Sequence, residues 1–449
     1  MKHNVVLITI DSLRADRLGC LGYSRKITPN LDDMAAKGCL FTEAISVGPG
    51  TIISFPALFA SIYPFLLLRL PDKGFMQLPR ECQTVAEISH NHGYHTLAFN
   101  SNPLLTHYRK YGRGFDVCVD PLYERKGSRF YRLARAAMHF FAARVKGEPF
   151  RPYPSPERVN RKILSFLKGT KRPFFLWVHY MSVHAPYFPP IKSLEEVTAK
   201  KISYSEMKEL NKRIMDERPD VSEKSVSSIA DLYDAEVRNV DHYLEELVEC
   251  LDKRGVNFEN TFFIITSDHG DELLEHGGFA HHAKLYEELL RVPLLIIGPE
   301  LEPRRIERQV STLHLAPTIL GLNGISKPDY YMGDDLMPLL QGRPMDIDEY
   351  VISEGCEKGK SPDEPQVVNM QMSCRSHGWK YIYHADDREE LYNLQSDPYE
   401  QSNVIDKESN RAKELKQKIL THMTMEEKAA RKIVEIRRIR RRLSSAALK

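Results

Sequence analysis

Short, uninterrupted apolar runs rich in β-branched and aromatic residues recur along the chain. Four of them are Val5–Ile10, Phe174–Tyr180, Thr261–Thr266 and Val292–Ile297, each followed by polar or turn-forming residues. Runs of this length and composition favour strands that are buried on both faces of a parallel sheet.

Helical patterns lie between these runs. Pro29–Lys37 has Thr28 as a candidate N-cap, a proline at the first helical position and Gly38 as a stop signal. Ser228–Arg254 carries an apolar stripe at 3.6-residue spacing. Alternating strands and helices predict an α/β fold with a mainly parallel central sheet flanked by helices. In such sheets, ligands bind beyond the carboxyl ends of the strands.

The C-terminal third of the chain has a different character. Trp379–His384 and Leu391–Leu394 are predicted to be strands joined by a charged turn. We therefore expect three regions: a main domain over residues 1–344, a small α+β subdomain over residues 345–424 and a basic helical tail over residues 425–449.

Composition favours a globular protein of the cytoplasm. The 449 residues are 42% hydrophobic and 28% charged, and no apolar run reaches the roughly 18 residues of a membrane span. The first apolar run is too short for the core of a signal peptide. Seven scattered cysteines contain no C-x-x-C pair, which argues against a disulfide framework or a zinc knuckle.

Positive charge is concentrated in two segments. Residues 431–449 hold eight basic residues and one acidic residue, so this net +7 leaves about −5 on the rest of a chain of net charge +2. That distribution argues against nucleic acid as a partner. Residues 125–146 are also basic and amphipathic. Both segments are predicted to pack with their arginines reaching solvent, and the alternative is peripheral contact with an anionic membrane.

Polar residues follow three of the predicted strands directly. Asp11 follows the first, Ser267–Glu272 follows Thr261–Thr266, and Met181–Pro186 follows Phe174–Tyr180. Each aspartate taken alone is more simply a helix N-cap. Carboxylates and imidazoles at three neighbouring strand ends can instead converge on one divalent cation.

The segment between residues 264 and 299 is dense in groups that bind metals or transfer protons. They are Asp268, His269, Asp271, Glu272, Glu275, His276, His281 and His282. The alternative is a solvated polar loop between two strands. Gly270 and Gly277 predict tight turns that bring the backbone close to a ligand.

Six motifs together resemble the sulfatase family of the alkaline phosphatase superfamily. In order they are NVVLITIDSLRADRLGCLGY, TPNLDDMAAKGCLF, GTIISFPALFASIYP, HYMSVHAPYFPP, the SDHGDE segment that ends in RVPL, and ELYNLQSDPYE. They span residues 4 to about 400, nearly the whole chain.

The resemblance implies a site and a role for each of its residues. Asp11, Thr51, Asp268 and His269 occupy the positions that hold one metal ion in the family, with Thr51 also at the nucleophile position. His184 would contact the substrate oxyanion or protonate the leaving group. His281 stands where true sulfatases usually have lysine, and in this it is similar to the phosphoethanolamine and lipoteichoic-acid transferases.

Two departures from the family pattern bear on the chemistry. Sulfatases oxidise Cys or Ser in C-x-P-x-R to formylglycine, whereas this chain has Thr51-Ile52-Ile53-Ser54-Phe55, and threonine cannot be converted. Asp11 is followed by Ser12 where many sulfatases have a second aspartate. The ligand set of Asp11, Thr51, Asp268 and His269 has fewer carboxylates than that of many sulfatases, and it includes an imidazole. This composition favours zinc or manganese over calcium or magnesium.

Three functions remain open from the sequence. The preferred one is a hydrolase or transferase acting on phosphate esters through a metal-activated Thr51 and a phosphothreonine intermediate, with His184 and His281 assisting. The second is a sulfuric ester hydrolase without formylglycine, and the third is an inactive binding protein. The substrate would be a small-molecule, glycan or lipid-linked ester.

Four nearby residues are assigned to structure. Ser54 is a rival nucleophile, but it is predicted to cap a helix that starts near Phe55. His179 is predicted to be a satisfied core histidine, and Arg14 and Asp16 to form a local pair.

Overall fold

The computed structural model describes residues 2–70, 77–106, 109–120, 153–167, 173–216, 221–359 and 367–446. Its centre is a nine-stranded sheet, and eight of the strands form one continuous spatial order. That order is β10 (Arg304–Ile306), β2 (Cys39–Ile45), β9 (Arg291–Ile297), β6 (Thr261–Thr266), β1 (Asn4–Ile10), β5 (Phe174–Tyr180), β3 (His95–Asn100) and β4 (Val117–Val119), with β11 (Val310–Ser311) pairing with β2.

The sheet is mainly parallel, as the apolar runs predicted, but β9 is an exception. It runs antiparallel to both β2 and β6. The run Val292–Ile297 is buried throughout, which is what its composition encodes. Burial on both faces does not depend on strand direction, so the pattern identified the strand without its orientation.

Helices cover both faces of this sheet, and alternate residues of β1 point into the two cores. One core contains Val5 and Leu7, the other Val6 and Ile8. On the first face lie α2 (Thr51–Ala60), α3 (Pro64–Leu68), α4 (Val85–Asn91), α10 (Leu315–Gly321) and α11 (Met337–Leu340). On the second lie α1 (Pro29–Ala35), α5 (Pro156–Phe166), α6 (Ile191–Val197), α7 (Tyr204–Met215) and α8 (Glu223–Asp252).

A second, antiparallel sheet forms the C-terminal region. Its strands are β12 (Tyr350–Lys358), β13 (Val367–Ser376), β14 (Trp379–His384) and β15 (Glu389–Asn393). The long helix α12 (Ser409–Ala446) packs against it, and its buried Ile433 joins the first core. The predicted boundary at residue 424 falls inside this one helix.

The linking elements of the 267–290 segment are short. A small hairpin of β7 (Glu272–Leu273) and β8 (Phe279–Ala280) is followed by α9 (Glu287–Leu290). In the described part of the chain, no helix combines the length and the apolar character needed to cross a membrane. The basic segment 125–146 lies outside the described residues, so its predicted packing stays a prediction.

Candidate active site

The ends of three adjacent strands lie level with one another. Ile10 pairs with Tyr180 on β5, and Thr9 pairs with Thr266 on β6. Because β1 lies between β5 and β6, Asp11 leaves the sheet beside the segment that carries Asp268 and His269. The convergence predicted from the strand ends is therefore present, and all three side chains are fully buried.

Thr51 is the first residue of α2, which begins there because the carbonyl of Gly50 accepts from the backbone N–H groups of Ile53 and Ser54. The preceding segment is held from both sides. Ser46 donates its hydroxyl to the Asp268 carbonyl at 2.5 Å. The carbonyl of Val47 accepts from the Glu354 backbone N–H of β12 at 2.7 Å. The nucleophile candidate is thus positioned by both sheets.

The hydroxyl of Thr51 lies within reach of the predicted metal ligands. Its Oγ1 is 3.3 Å from Asp11 Oδ2 and 3.4 Å from His269 Nε2. His269 Nε2 is in turn 3.4 Å from Asp268 Oδ2 and 3.7 Å from Asp11 Oδ1. The four residues assigned by resemblance therefore form one compact cluster around a common point.

The donor set of this cluster fits a divalent cation. Asp11, Asp268 and His269 each offer a ligand atom, with these atoms within 4.8 Å of one another. Asp268 Oδ2 is buried and accepts no hydrogen bond. A buried carboxylate oxygen without a donor costs about 1–3 kcal/mol, and coordination to a cation removes that cost.

The pKa values of Asp11 and Asp268 are shifted in opposite directions. Burial raises the pKa of Asp11, but His184, His179 and His269 outweigh it, and the pKa lies well below its usual value. Burial and the neighbouring Asp11 charge raise the pKa of Asp268. Two carboxylates this close resist sharing one site unless a cation offsets them.

A second group of side chains borders the first. Asp271 accepts from His281 at 2.8 Å and from the Tyr187 hydroxyl at 2.7 Å. The ring of His281 lies 4.2 Å from that of His269 and 5.0 Å from that of His184, measured between centroids. Burial and the nearby His269 lower the pKa of His281. The structure thus brings both predicted histidines of the chemistry beside the cluster.

Ser12, next to Asp11, adopts a left-handed backbone conformation with φ of 62°. This conformation is uncommon outside glycine and is held here by the Tyr233 hydroxyl, which donates to the Ser12 carbonyl. The Ser12 backbone N–H faces Asp268 Oδ1 at 3.3 Å. The residue that replaces a second aspartate therefore contributes its backbone to the site.

A cleft of about 280 Å³ opens beside the cluster. Gly50, Ile53, His281 and His282 form one wall. The other wall includes Cys356, Glu357 and Lys358 of β12. A substrate group bound near Thr51 would extend between the two sheets.

Several residues of the dense segment face away from the cluster. His276 contacts Glu288 at 2.7 Å and stacks on Tyr286. Glu272 pairs with Lys284 at 2.7 Å. Gly270 allows the backbone to approach the Glu288 carbonyl closely, since an added Cβ would lie 1.9 Å from that oxygen.

Among the residues assigned to structure, Arg14 and Asp16 behave as predicted, and the assignment of Ser54 needs a correction. Arg14 and Asp16 form the predicted pair, 2.8 Å apart. Ser54 is buried, but α2 begins at Thr51 and not near Phe55, so Ser54 lies inside the first turns and donates to the Thr51 carbonyl at 3.4 Å.

Two residues lie at the site that the sequence analysis did not place there. Asn102 donates to Asp11 at 2.7 Å and to Thr51 at 3.3 Å. His179 is buried as predicted, but its Nε2 lies 3.2 Å from Asp11 Oδ2. Asn102 follows the end of β3, so the strand-end argument would have found it had His95–Asn100 been recognised as a strand.

A compact carboxylate–imidazole cluster at the carboxyl ends of parallel strands, with a hydroxyl beside it, is an arrangement that metal-dependent hydrolases of ester bonds use. Comparison with known proteins identifies the family. The sulfatase family model matches residues 3–325, and the model for the C-terminal part of N-sulphoglucosamine sulphohydrolase matches residues 274–429. The chain belongs to the sulfatase family, whose members bind a metal ion at the active site.

Relatives and solved structures agree with this assignment. The chain is 25% identical to the uncharacterized sulfatase YidJ of Escherichia coli, over 90% of this chain and 83% of the relative. It is 24% identical to an ulvan-active sulfatase of Formosa agariphila, over 90% and 78%. The crystal structure of a phosphonate monoester hydrolase of Agrobacterium radiobacter superposes with a TM-score of 0.77 at 19% identity, covering 95% and 96%. That last likeness concerns the fold.

Proposed function

We propose that this member of the sulfatase family cleaves phosphorus esters with Thr51 as its nucleophile. One observation carries the proposal. Thr51 is 4% exposed at the N-terminus of α2, and its hydroxyl lies within 3.4 Å of Asp11, Asn102 and His269 at once. A hydroxyl becomes a nucleophile when a neighbouring group can accept its proton and further polar groups hold its oxygen in place.

The residues of the chain divide the reaction between them. Asp11 Oδ2, which accepts the Thr51 hydroxyl in the structure, takes its proton, and Thr51 Oγ1 forms the bond to phosphorus as the ester oxygen departs. His184 or His281 gives that oxygen its proton. Water then cleaves the phosphothreonine ester, which releases the phosphoryl group and restores the hydroxyl.

Asp11, Thr51, Asp268 and His269 would hold the divalent cation, with zinc or manganese favoured by the imidazole in the set. When bound, that cation supplies positive charge for the nucleophilic oxygen and for the oxygens of the ester. Asn102 and His179 keep Asp11 oriented through the contacts described above.

Threonine at position 51 is the reason to prefer phosphorus over sulfur. A sulfatase expels its covalent intermediate through the second hydroxyl of a hydrated formylglycine, and threonine has no such hydroxyl. A phosphothreonine ester can be hydrolysed directly by water. The cleft, with His282, Glu357 and Lys358 at its walls, suits polar groups of a small-molecule or glycan ester.

The test compares aryl esters on matched variants. Wild type, Thr51→Ala, Thr51→Ser and Ser54→Ala are assayed with p-nitrophenyl phosphate, a phosphodiester, a phosphonate monoester and p-nitrophenyl sulfate, with metal content measured for each. We expect turnover of a phosphorus ester that Thr51→Ala loses, Thr51→Ser retains in part and Ser54→Ala leaves near wild type. Wild-type turnover by Thr51→Ala would refute the scheme.

Sulfuric ester hydrolysis without formylglycine is the second candidate, favoured by the ulvan-active sulfatase among the relatives. Turnover of the sulfate alone, dependent on Thr51, would establish it in place of the first. Metal binding without turnover of any ester would favour an inactive binding protein.

A further inference from the structure

A second cluster of metal-binding side chains lies in the core, apart from the active site. It consists of Glu354 on β12 and of His422 and Glu426 on α12. The two helix residues are four positions apart and therefore lie on the same face of α12. His422 Nε2 is 2.8 Å from Glu354 Oε1, and the potential ligand atoms of all three residues lie within 4.8 Å of one another.

The cluster is closed to solvent. Glu354 and Glu426 have no exposed surface, and His422 is 4% exposed, with its ring packed on that of Tyr63 at 4.3 Å. Glu354 Oε2 accepts from the Phe65 backbone N–H at 2.7 Å. The cluster thus lies where β12, α12 and α3 meet.

Charge in the cluster is incompletely balanced. Arg69 lies 3.5 Å from Glu426 Oε2 and offsets one carboxylate. Glu426 Oε1, in contrast, is buried and has no hydrogen-bond partner. Two buried carboxylates beside one arginine require a further positive charge or a proton.

A proton is the rival explanation for this arrangement. Burial raises the pKa of Glu354 to about 8, and burial together with Glu354 raises that of Glu426 to about 9. A shared proton would satisfy the pair without any ligand. His422 would then serve as a hydrogen-bond partner of Glu354, so the experiment below has to separate a shared proton from a metal ion.

We propose that Glu354, His422 and Glu426 form a second, structural metal site that binds a divalent transition-metal ion such as zinc. One imidazole and two carboxylates are ligands that zinc accepts, and the unpartnered Glu426 Oε1 points to a missing cation. The site fastens the C-terminal helix to the edge of the second sheet. This proposal does not depend on the reaction proposed above.

The experiment uses the full chain with the active-site ligands removed. An Asp11→Asn/Asp268→Asn background is stripped with a chelator, titrated with zinc and assayed for bound metal by mass spectrometry. Two further variants are made in it: Glu426→Gln, and Glu427→Gln as the matched control. Glu427 is the exposed neighbour that contacts the same Arg69 at 3.6 Å.

We expect the background and the Glu427→Gln protein to bind zinc and to gain thermal stability from it. Glu426→Gln should weaken zinc binding at least about tenfold and remove that gain. Equal zinc binding by the two variants would overturn the proposal, since His269, Asp271 and His281 could then account for the metal.

A second measurement needs no substitution in the cluster. Crystals grown from wild-type protein saturated with zinc in solution should give an anomalous-scattering peak between Glu354, His422 and Glu426. Absence of a peak there, with one present beside Asp268, would show that a proton and not a metal occupies the cluster.

Discussion

The two sides of the 267–290 segment use the same residue types for different purposes. The inner side presents Asp268, His269 and His281 to the cluster around Thr51, where Asp268 Oδ2 is left without a donor. The outer side presents Glu272 and His276, whose polar atoms are satisfied by the protein.

On the outer side every contact is internal. Glu272 Oε1 accepts from the backbone N–H groups of His276 and Gly278, and its Oε2 pairs with Lys284. His276 bridges Glu288 and the Glu400 carbonyl. Satisfied groups hold the segment in place, and unsatisfied ones mark where a ligand belongs. The comparison therefore separates anchoring from chemistry within one loop.

The largest effect should come from the inner carboxylate. Asp268→Asn removes a ligand charge and should lower kcat/KM by about a thousandfold or more together with metal affinity. The matched outer change, Glu272→Gln, should leave kcat/KM within about threefold of wild type and reduce only stability. Measurement of steady-state kinetics and bound metal on both variants checks the contrast. Equal losses of kcat/KM in Asp268→Asn and Glu272→Gln would contradict the distinction between the inner and outer sides.

The two histidines give a second contrast. His281→Asn should reduce kcat by about a hundredfold or more, because His281 is one of the two proposed proton donors and a positioned donor contributes roughly 10²–10⁴. His276→Asn should keep kcat near wild type. If His276→Asn loses as much activity as His281→Asn, with the fold intact by circular dichroism, the outer side takes part in the chemistry.

For stability we expect the opposite order, with the larger loss at His276 and the smaller loss at His281. His276→Ala deletes the partner of Glu288 and the ring stacked on Tyr286, and it should lower the free energy of unfolding by about 1–3 kcal/mol. His281→Ala, on the open cleft, should cost less. Denaturant unfolding of both variants measures the difference, and a larger loss for His281→Ala would contradict it.

The smallest effect concerns pH. Burial opposes protonation of His276, but the Glu288 carboxylate prevails and raises the pKa of His276. A raised folded-state pKa means that the pair stabilises the protein fully below the unfolded pKa of about 6.5, and that this contribution is lost as pH rises through the folded pKa.

Wild type should accordingly lose about 1 kcal/mol more stability than His276→Gln between pH 6 and pH 9. Thermal unfolding of both proteins across that range provides the measurement. Parallel pH profiles would mean that the ion pair with Glu288 does not contribute.

Strand ends were the features most accessible to prediction from sequence. Asp11 and Asp268 each follow a continuous apolar run. Because neighbouring parallel strands end at the same edge of a sheet, the proximity of these two residues could be predicted without knowing how distant parts of the chain pack. The direction of β9 was not accessible, because a strand buried on both faces has the same composition in either direction.

The remaining misses have related causes. His179 lies within a buried strand, and only the register of β1 and β5 reveals that its ring reaches Asp11. The cluster of Glu354, His422 and Glu426 joins elements far apart in the chain. Neither pairing leaves a local signal. The role of Thr51 was assigned through the resemblance to the family, since no spacing rule suggests it, and that role stays a prediction.

The contact between Val47 and Glu354 has a consequence for biosynthesis. The segment before Thr51 is held by β12, and Ser46 and Ser353 are 307 positions apart. At about 5–20 residues per second, the ribosome needs roughly 15–60 s to add that length of chain. The segment that leads into Thr51 therefore emerges long before the strand that holds it. The contacts around the segment before Thr51 are therefore complete only near the end of translation, and a nascent chain lacking β12 carries the residues of the site without the contacts that β12 supplies.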